Sequence, residues 1–178
     1  MPLTTPIRTV TTGHDAAGRS IVASDRSIEP RELALAPGMG IAQLWRTDQP
    51  TVPSTGAPTE GLAYFPAPGG VSYIVVTLPP DAPPPPGIDL PAALAEAEAA
   101  FPGMLQVMEP DQPGMHTTDT VDFGVILSGR VILELDDGAT VTLGAGGCFV
   151  QNGTRHAWRV PFAEPCTMAV VPLGARRD

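Results

Sequence analysis

The stretch FGVILSGRVILELDDGATVTL, residues 123–143, decides the fold. Its β-forming runs, Phe123 to Leu127, Val131 to Leu135 and Thr140 to Leu143, are separated only by short turns at Ser128-Gly129 and Asp136-Asp137-Gly138. Short runs rich in Val, Ile and Thr between Gly and Asp turns read as antiparallel strands joined by hairpins. The same punctuation continues through Cys148 to Gln151, His156 to Val160 and Thr167 to Val171. Many short strands at regular spacing predict a sandwich or barrel. Gly129, Gly138 and Gly153 sit where turns call for positive φ. The pair Asp136-Asp137 belongs to a turn, because a calcium site needs more oxygen ligands than one turn supplies.

Working upstream, Ile7 to Thr12 and Ser20 to Ser24 flank a Gly/Asp turn holding His14 and predict a hairpin. Ile41 to Thr47 and Gly70 to Leu78 predict two further strands, with a Pro/Thr/Gly-rich loop over residues 48–61 between them. Pro79-Pro80 ends the second strand by removing ladder donors, and Pro83 to Pro86 form a stiff connector. One helix is expected, Asp89 to Ala100, opened by Pro91 and stopped by Phe101-Pro102-Gly103. A chain of 178 residues suits one domain.

Charge excludes several functions. Ten basic residues against 19 acidic ones give a net charge of −9, which does not suit tracking a phosphate backbone. All ten are Arg, so Schiff-base chemistry and a phosphate-loop lysine are excluded. The apolar runs fall well below the roughly 20 residues that span a bilayer, and no export signal is read, so a cytoplasmic location is expected. Cys148 and Cys166, the two cysteines, are expected to be buried and reduced.

Within residues 113–173, the spacing of His116, Thr118, Asp122 and Gly129, followed by Gly146, Gln151, Gly153 and His156, resembles the two cupin motifs. The first motif carries His, His, Glu and Gly at those positions. The second carries a Gly, a Pro-x-Gly triplet and a His. The resemblance implies an all-β, jelly-roll-like barrel of two antiparallel sheets, with the helix near residues 89–100 inserted as a possible lid. It also implies a divalent metal (iron, manganese, nickel or zinc) held here by His116, Asp122 and His156. The chain departs from the pattern: Thr118 replaces the second His, Asp122 the Glu, Gln151 the Pro, and Val160 stands where an Asn is common.

Two imidazoles and a carboxylate match the facial-triad composition that leaves positions open for substrate. Without a metal, His156 could act as general base or acid with Asp122 fixing its tautomer. His14, in its turn, is read as structural. Thr118, Gln151, Trp158, Tyr73 and Trp45 are the expected substrate-binding residues, Trp158 sharing the face of His156. Strand alternation puts Arg155 and Arg159 on the opposite, outer face and Asp119 outside the lumen. The expectation is an enzyme acting on a small organic metabolite, as dioxygenase, isomerase, decarboxylase or lyase. The alternative is a metal-free, non-catalytic protein that binds or senses a small ligand. A homodimer, exchanging an edge strand from the N-terminal region, is the expected assembly.

Overall fold

The computed structural model describes residues 6–14, 16, 20–47 and 63–177. The predicted loop at 48–61 therefore lies outside the described residues. Eleven strands and one α-helix are described: β1 (Ile7–His14), β2 (Ser20–Ile28), β3 (Arg31–Leu33), β4 (Ala36–Thr47), β5 (Val71–Leu78), α1 (Leu90–Ala100), β6 (Thr120–Ser128), β7 (Arg130–Glu134), β8 (Thr140–Gly144), β9 (Cys148–Gln151), β10 (Ala157–Arg159) and β11 (Cys166–Gly174). Every pairing is antiparallel.

A larger sheet runs β3-β4-β5-β11-β6-β9 and a smaller one β10-β7-β8. The N-terminal half thus completes the larger sheet, as expected, through β3, β4 and β5. The β1-β2 hairpin pairs with neither sheet. Its Ile7 and Ile28 instead pack on the outer face of the larger sheet, over Ala42, Leu44, Val75 and Ala169. His14 ends β1 opposite Ser20 rather than standing in the turn.

Between the sheets lies the main core, with Ile41, Ile74, Val76, Ile126, Met168 and Val170 from the larger sheet and Val131 and Val160 from the other side. Alternation along a strand sends these side chains inward and their neighbours outward. The helix is part of this core. Asp89 caps it by accepting from the Ala92 amide at 3.1 Å, its Ala93 and Ala97 are buried, and Phe101 and Met104 beyond it join the barrel interior. A single 3-10 turn, Leu105–Val107, then leads toward His116. The inserted segment is therefore a plug, sealed by apolar contact with the core.

Two of the expected binding residues, Trp45 and Tyr73, face away from the lumen. On β4 the register shifts between Gln43 and Trp45, so that Trp45 pairs with Tyr73 and Arg46 with Ser72. Tyr73 lies between inward Ile74 and Ser72 and is 41% exposed. Trp45 and Tyr73 hence share the outer face, turned away from the lumen, while Arg46 is buried and donates to the Phe65 carbonyl at 3.2 Å.

Neither Cys148 nor Cys166 is in a disulfide; Cys166 is buried, but Cys148 is exposed, against expectation. Burial pushes the Cys166 thiol up to about 11, which makes it a poor nucleophile. No described helix is long and apolar enough to cross a membrane.

Candidate functional site

His116 and His156 meet beside β10, an edge strand of the smaller sheet. Their backbones form an isolated antiparallel bridge, each amide donating to the other's carbonyl at 2.9 Å. That pairing brings the rings together, centroids 4.2 Å apart and planes tilted by 51°. The Trp158 ring stands edge-on to His156 at 5.7 Å and packs on Phe149 at 4.8 Å. Phe149 can lie there because its strand partner is Gly124; a Cβ at Gly124 would come within 2.1 Å of the Phe149 ring.

Both imidazoles are oriented through Nδ1. That of His116 lies 3.0 Å from the Gly114 carbonyl, and that of His156 lies 2.9 Å from the Thr154 carbonyl and 3.0 Å from the Gln151 amide nitrogen. The Gln151 amide has two hydrogens, and the Thr154 carbonyl at 2.9 Å and hydroxyl at 2.5 Å take both. His156 Nδ1–H therefore donates to Thr154, His116 Nδ1–H donates to Gly114, and each Nε2 keeps its lone pair. Burial lowers the pKa of both rings. For His156 the neighbouring His116 charge adds to burial and takes it down to about 4. The pair is neutral at pH 7.

Gln151, expected to contact substrate, is buried and spends both amide hydrogens on Thr154. It braces the Thr154 turn, whose carbonyl takes the His156 Nδ1–H, so the tautomer that Asp122 was expected to fix is fixed by Thr154. Asp122 itself pairs with Gln151 across β6 and β9, on the inward row with Thr120, Gly124 and Ile126. Its carboxyl is raised above the usual range by burial, the Thr120 hydroxyl pulling the other way, and its buried Oδ1 has no hydrogen-bond partner. Asp122 interacts electrostatically with Tyr64, whose phenol is pushed far up, mainly by burial. Thr118 is buried, its hydroxyl accepting from Thr120 at 2.8 Å.

Among the described residues, no three of His, Cys, Asp and Glu converge closely enough to hold a metal ion. The expected set of His116, Asp122 and His156 does not assemble: the two imidazoles meet and the carboxylate stays out. The residues present do not fit a three-donor metal centre. Aspartate is one carbon shorter than the glutamate of the family motif, which fits this separation.

Tyr64 is a site neighbour that sequence reading missed. It follows the Pro-rich loop with no periodic signal, and is placed by its amide's hydrogen bond to the Pro102 carbonyl at 2.6 Å and by ring contacts with Phe65 at 4.9 Å and Phe101 at 5.3 Å. A groove of about 250 Å³, lined by Ala63, Phe65, Pro66, Gly103, Gln106 and Val107, reaches Thr118 and Asp119 but neither imidazole. Arg155 and Arg159 face outward as expected, and Asp119, also outside, accepts from Arg177 at 2.7 Å.

A buried carboxylate with an unpartnered oxygen costs stability once ionised. The folded state holds the Asp122 proton more tightly than the unfolded chain, so this cost is present above the raised pKa. Asp122→Asn is expected to raise Tm at pH 7 by roughly 2–5 °C, an increase that disappears near pH 3; thermal melts at the two pH values check it.

The cupin-domain family profile matches residues 104–172, and the chain is a cupin-domain protein over that stretch. Similar curated proteins come from fungal biosynthesis clusters. Phomopsin biosynthesis cluster protein C' of Diaporthe leptostromiformis is 37% identical over 78 residues, 42% of this chain and 36% of that protein. Oryzines biosynthesis cluster protein J of Aspergillus oryzae is 44% identical over 50 residues, 28% of each chain. The chain thus spans about a third of the length of these relatives. Among solved structures, a cupin domain of Schizosaccharomyces pombe is 11% identical over 94% of this chain and 87% of that one, with a TM-score of 0.47. A DMSP lyase of Ruegeria pomeroyi is 16% identical over 61% of this chain and 40% of that one, with a TM-score of 0.38.

Proposed function

We propose that the chain acts on a small organic molecule at the His116–His156 end of the barrel, by proton transfer through the imidazole pair. The observation that carries this reading is the pair itself: two neutral rings in contact, both Nδ1–H groups committed to backbone carbonyls and both Nε2 lone pairs left for a ligand. A lone pair fixed in this way is a general base. His116, whose pKa is lowered less by its surroundings than that of its neighbour, takes the proton. His156 holds the substrate through Nε2 and Trp158 walls the site. The names of the fungal relatives, which tie those proteins to the biosynthesis of phomopsins and oryzines, support a small organic substrate.

The test is deuterium uptake from D2O into a panel of small ketones, β-keto acids and hydroxy acids, read by mass spectrometry. Uptake should occur at one class of acidic carbon, fall at least about tenfold in His116→Ala, and be unaffected by chelator. Uptake abolished by chelator would overturn the metal-independent reading. Binding of a panel member without uptake would favour the non-catalytic alternative.

The assembly proposed alongside is a homodimer through the outer face of the larger sheet, in place of edge-strand exchange. There Phe123 pairs with Val150 and Val171, Leu173 with Val71 and Val121, and Tyr73 with Trp45, all uncharged. Tyr73, Phe123, Leu127, Val150 and Leu173 are 38–61% exposed and offer on the order of 400 Å² of apolar surface, about half of one partner's share of a standard interface. The half-buried Val121 and Val171 extend it. On a chain of net charge −9 an uncharged face is where a second copy approaches with least repulsion. Light scattering should give a dimer for the native chain and a monomer for Val150→Glu; a native monomer at ~100 μM would refute it.

A further inference from the structure

The geometry points to Arg155 and Arg159 as positioning residues that hold His116 against His156 by clipping down the segment 109–114. This rests on the reading of the imidazole pair as the site, though its test needs no ligand. The two arginines bracket His156 in sequence and project from the opposite face of its strand. Arg155 forks onto the Glu109 carboxylate, Nε to Oε1 at 2.6 Å and Nη2 to Oε2 at 2.7 Å. It also donates to Gln112 at 2.9 Å and to Asp136 at 2.8 Å. Arg159 donates to the Pro113 carbonyl at 2.6 Å and to Glu134 at 2.6 Å.

Segment 109–114 is closed on itself as well, since the Glu109 amide donates to the Met115 carbonyl and the Met115 amide to the Gln112 carbonyl, both at 2.9 Å. It ends at Gly114, the residue whose carbonyl takes the His116 Nδ1–H. Gly114 has φ +79, and a Cβ there would stand 3.0 Å from the Arg159 guanidinium, so a side chain at this position would crowd the clip. The orientation of His116 therefore depends on a loop fastened at two points to the strand leading into and out of His156. An isolated exposed ion pair is worth little, but a bidentate fork tied into a network fixes geometry as well as charge. Asp136 and Glu134 extend the anchor to β7 and the turn after it, so the loop is tied to the smaller sheet.

The experiment is side-chain nitrogen NMR on histidine-labelled protein at pH 7, reading the tautomer of each ring and the hydrogen exchange of each Nδ1–H. In Arg155→Ala/Arg159→Ala the His116 Nδ1–H should exchange at least about tenfold faster and its tautomers should mix, while His156, held by Thr154, stays as it was. Arg155→Lys, which keeps the charge but loses the fork, should restore only part of the protection. If the double variant fails to fold, the native chain in ~1 M NaCl decides, because screening weakens the clip and should speed exchange at His116 alone. An unchanged His116 signal in a folded double variant, or unchanged exchange in salt, would overturn the proposal. Equal loosening of both rings would do the same, since that is general destabilisation.

Discussion

Acidification from pH 6.5 to pH 4 is expected to cost the fold about 3 kcal/mol through His156 alone. Its folded pKa is about 4 against an ordinary 6.5, so across that window the unfolded chain binds a proton that the folded chain refuses. The neutral ring's contribution is complete above pH 6.5 and lost as pH falls toward 4. The ring is 1% exposed, so solvent does not screen the effect. His116, lowered in the same direction, adds to it, whereas Asp122, with its raised pKa, opposes it. Urea midpoints measured every half unit of pH should show the slope, and His156→Gln should flatten it. A native profile that matches the variant's would mean that His156 is neither buried nor depressed as described.

Gly129→Ala is expected to destabilise by roughly 3 kcal/mol or more. The residue has φ +75, and a Cβ would fall 2.2 Å from the Pro165 carbonyl oxygen and 3.0 Å from the Cys166 Cα. Those are backbone atoms at the entry to β11, the strand joining the two halves of the larger sheet, and they have nowhere to retreat. Gly138 is the built-in control, with φ +74 and nothing within 4 Å of its Cβ position. Its alanine variant should lose only the ~1 kcal/mol of left-handed strain. Chemical denaturation of the two variants separates strain from collision. Equal losses would show that the close approach at Gly129 carries no weight.

The contrast between these glycines also marks what sequence can carry. Both were legible as turn residues, because a hairpin turn leaves a local trace. What stands opposite each of them was not, because Pro165 is distant in sequence. The strands from Phe123 to Val171 were legible for the same local reason, and so was the inward row of Asp122, since alternation follows directly from pleat geometry. Trp45 escaped because a bulge in β4 turns its register over, and a bulge has no reliable signature in a single sequence; Tyr73 escaped because nothing local says which row of β5 faces inward. Burial of the segment after the helix was open too: Phe101 and Met104 are apolar, but only the assembled barrel says that they fill it. At the site, the resemblance to the cupin motifs singled out both histidines, and the structure brings their rings together. That Asp122 stays out of the imidazole pair was not legible there, although its one missing methylene is consistent with it.

Gln151 illustrates how such a replacement changes chemistry. An amide there caps the Thr154 turn and leaves His156 one tautomer, a role a proline could not fill. The carboxylate, relieved of that task, stays buried with an unpartnered oxygen, which natural proteins tolerate chiefly where function requires it.

His116 and His156 present two unprotonated Nε2 atoms side by side at neutral pH. A nitrogen–proton correlation spectrum of the imidazoles, recorded from pH 7.5 to pH 3.5, tests it most directly. Both rings should be Nδ1–H tautomers at pH 7, with His156 taking up its second proton only near pH 4. Either ring charged at pH 7, or His156 protonated on Nε2, would contradict it.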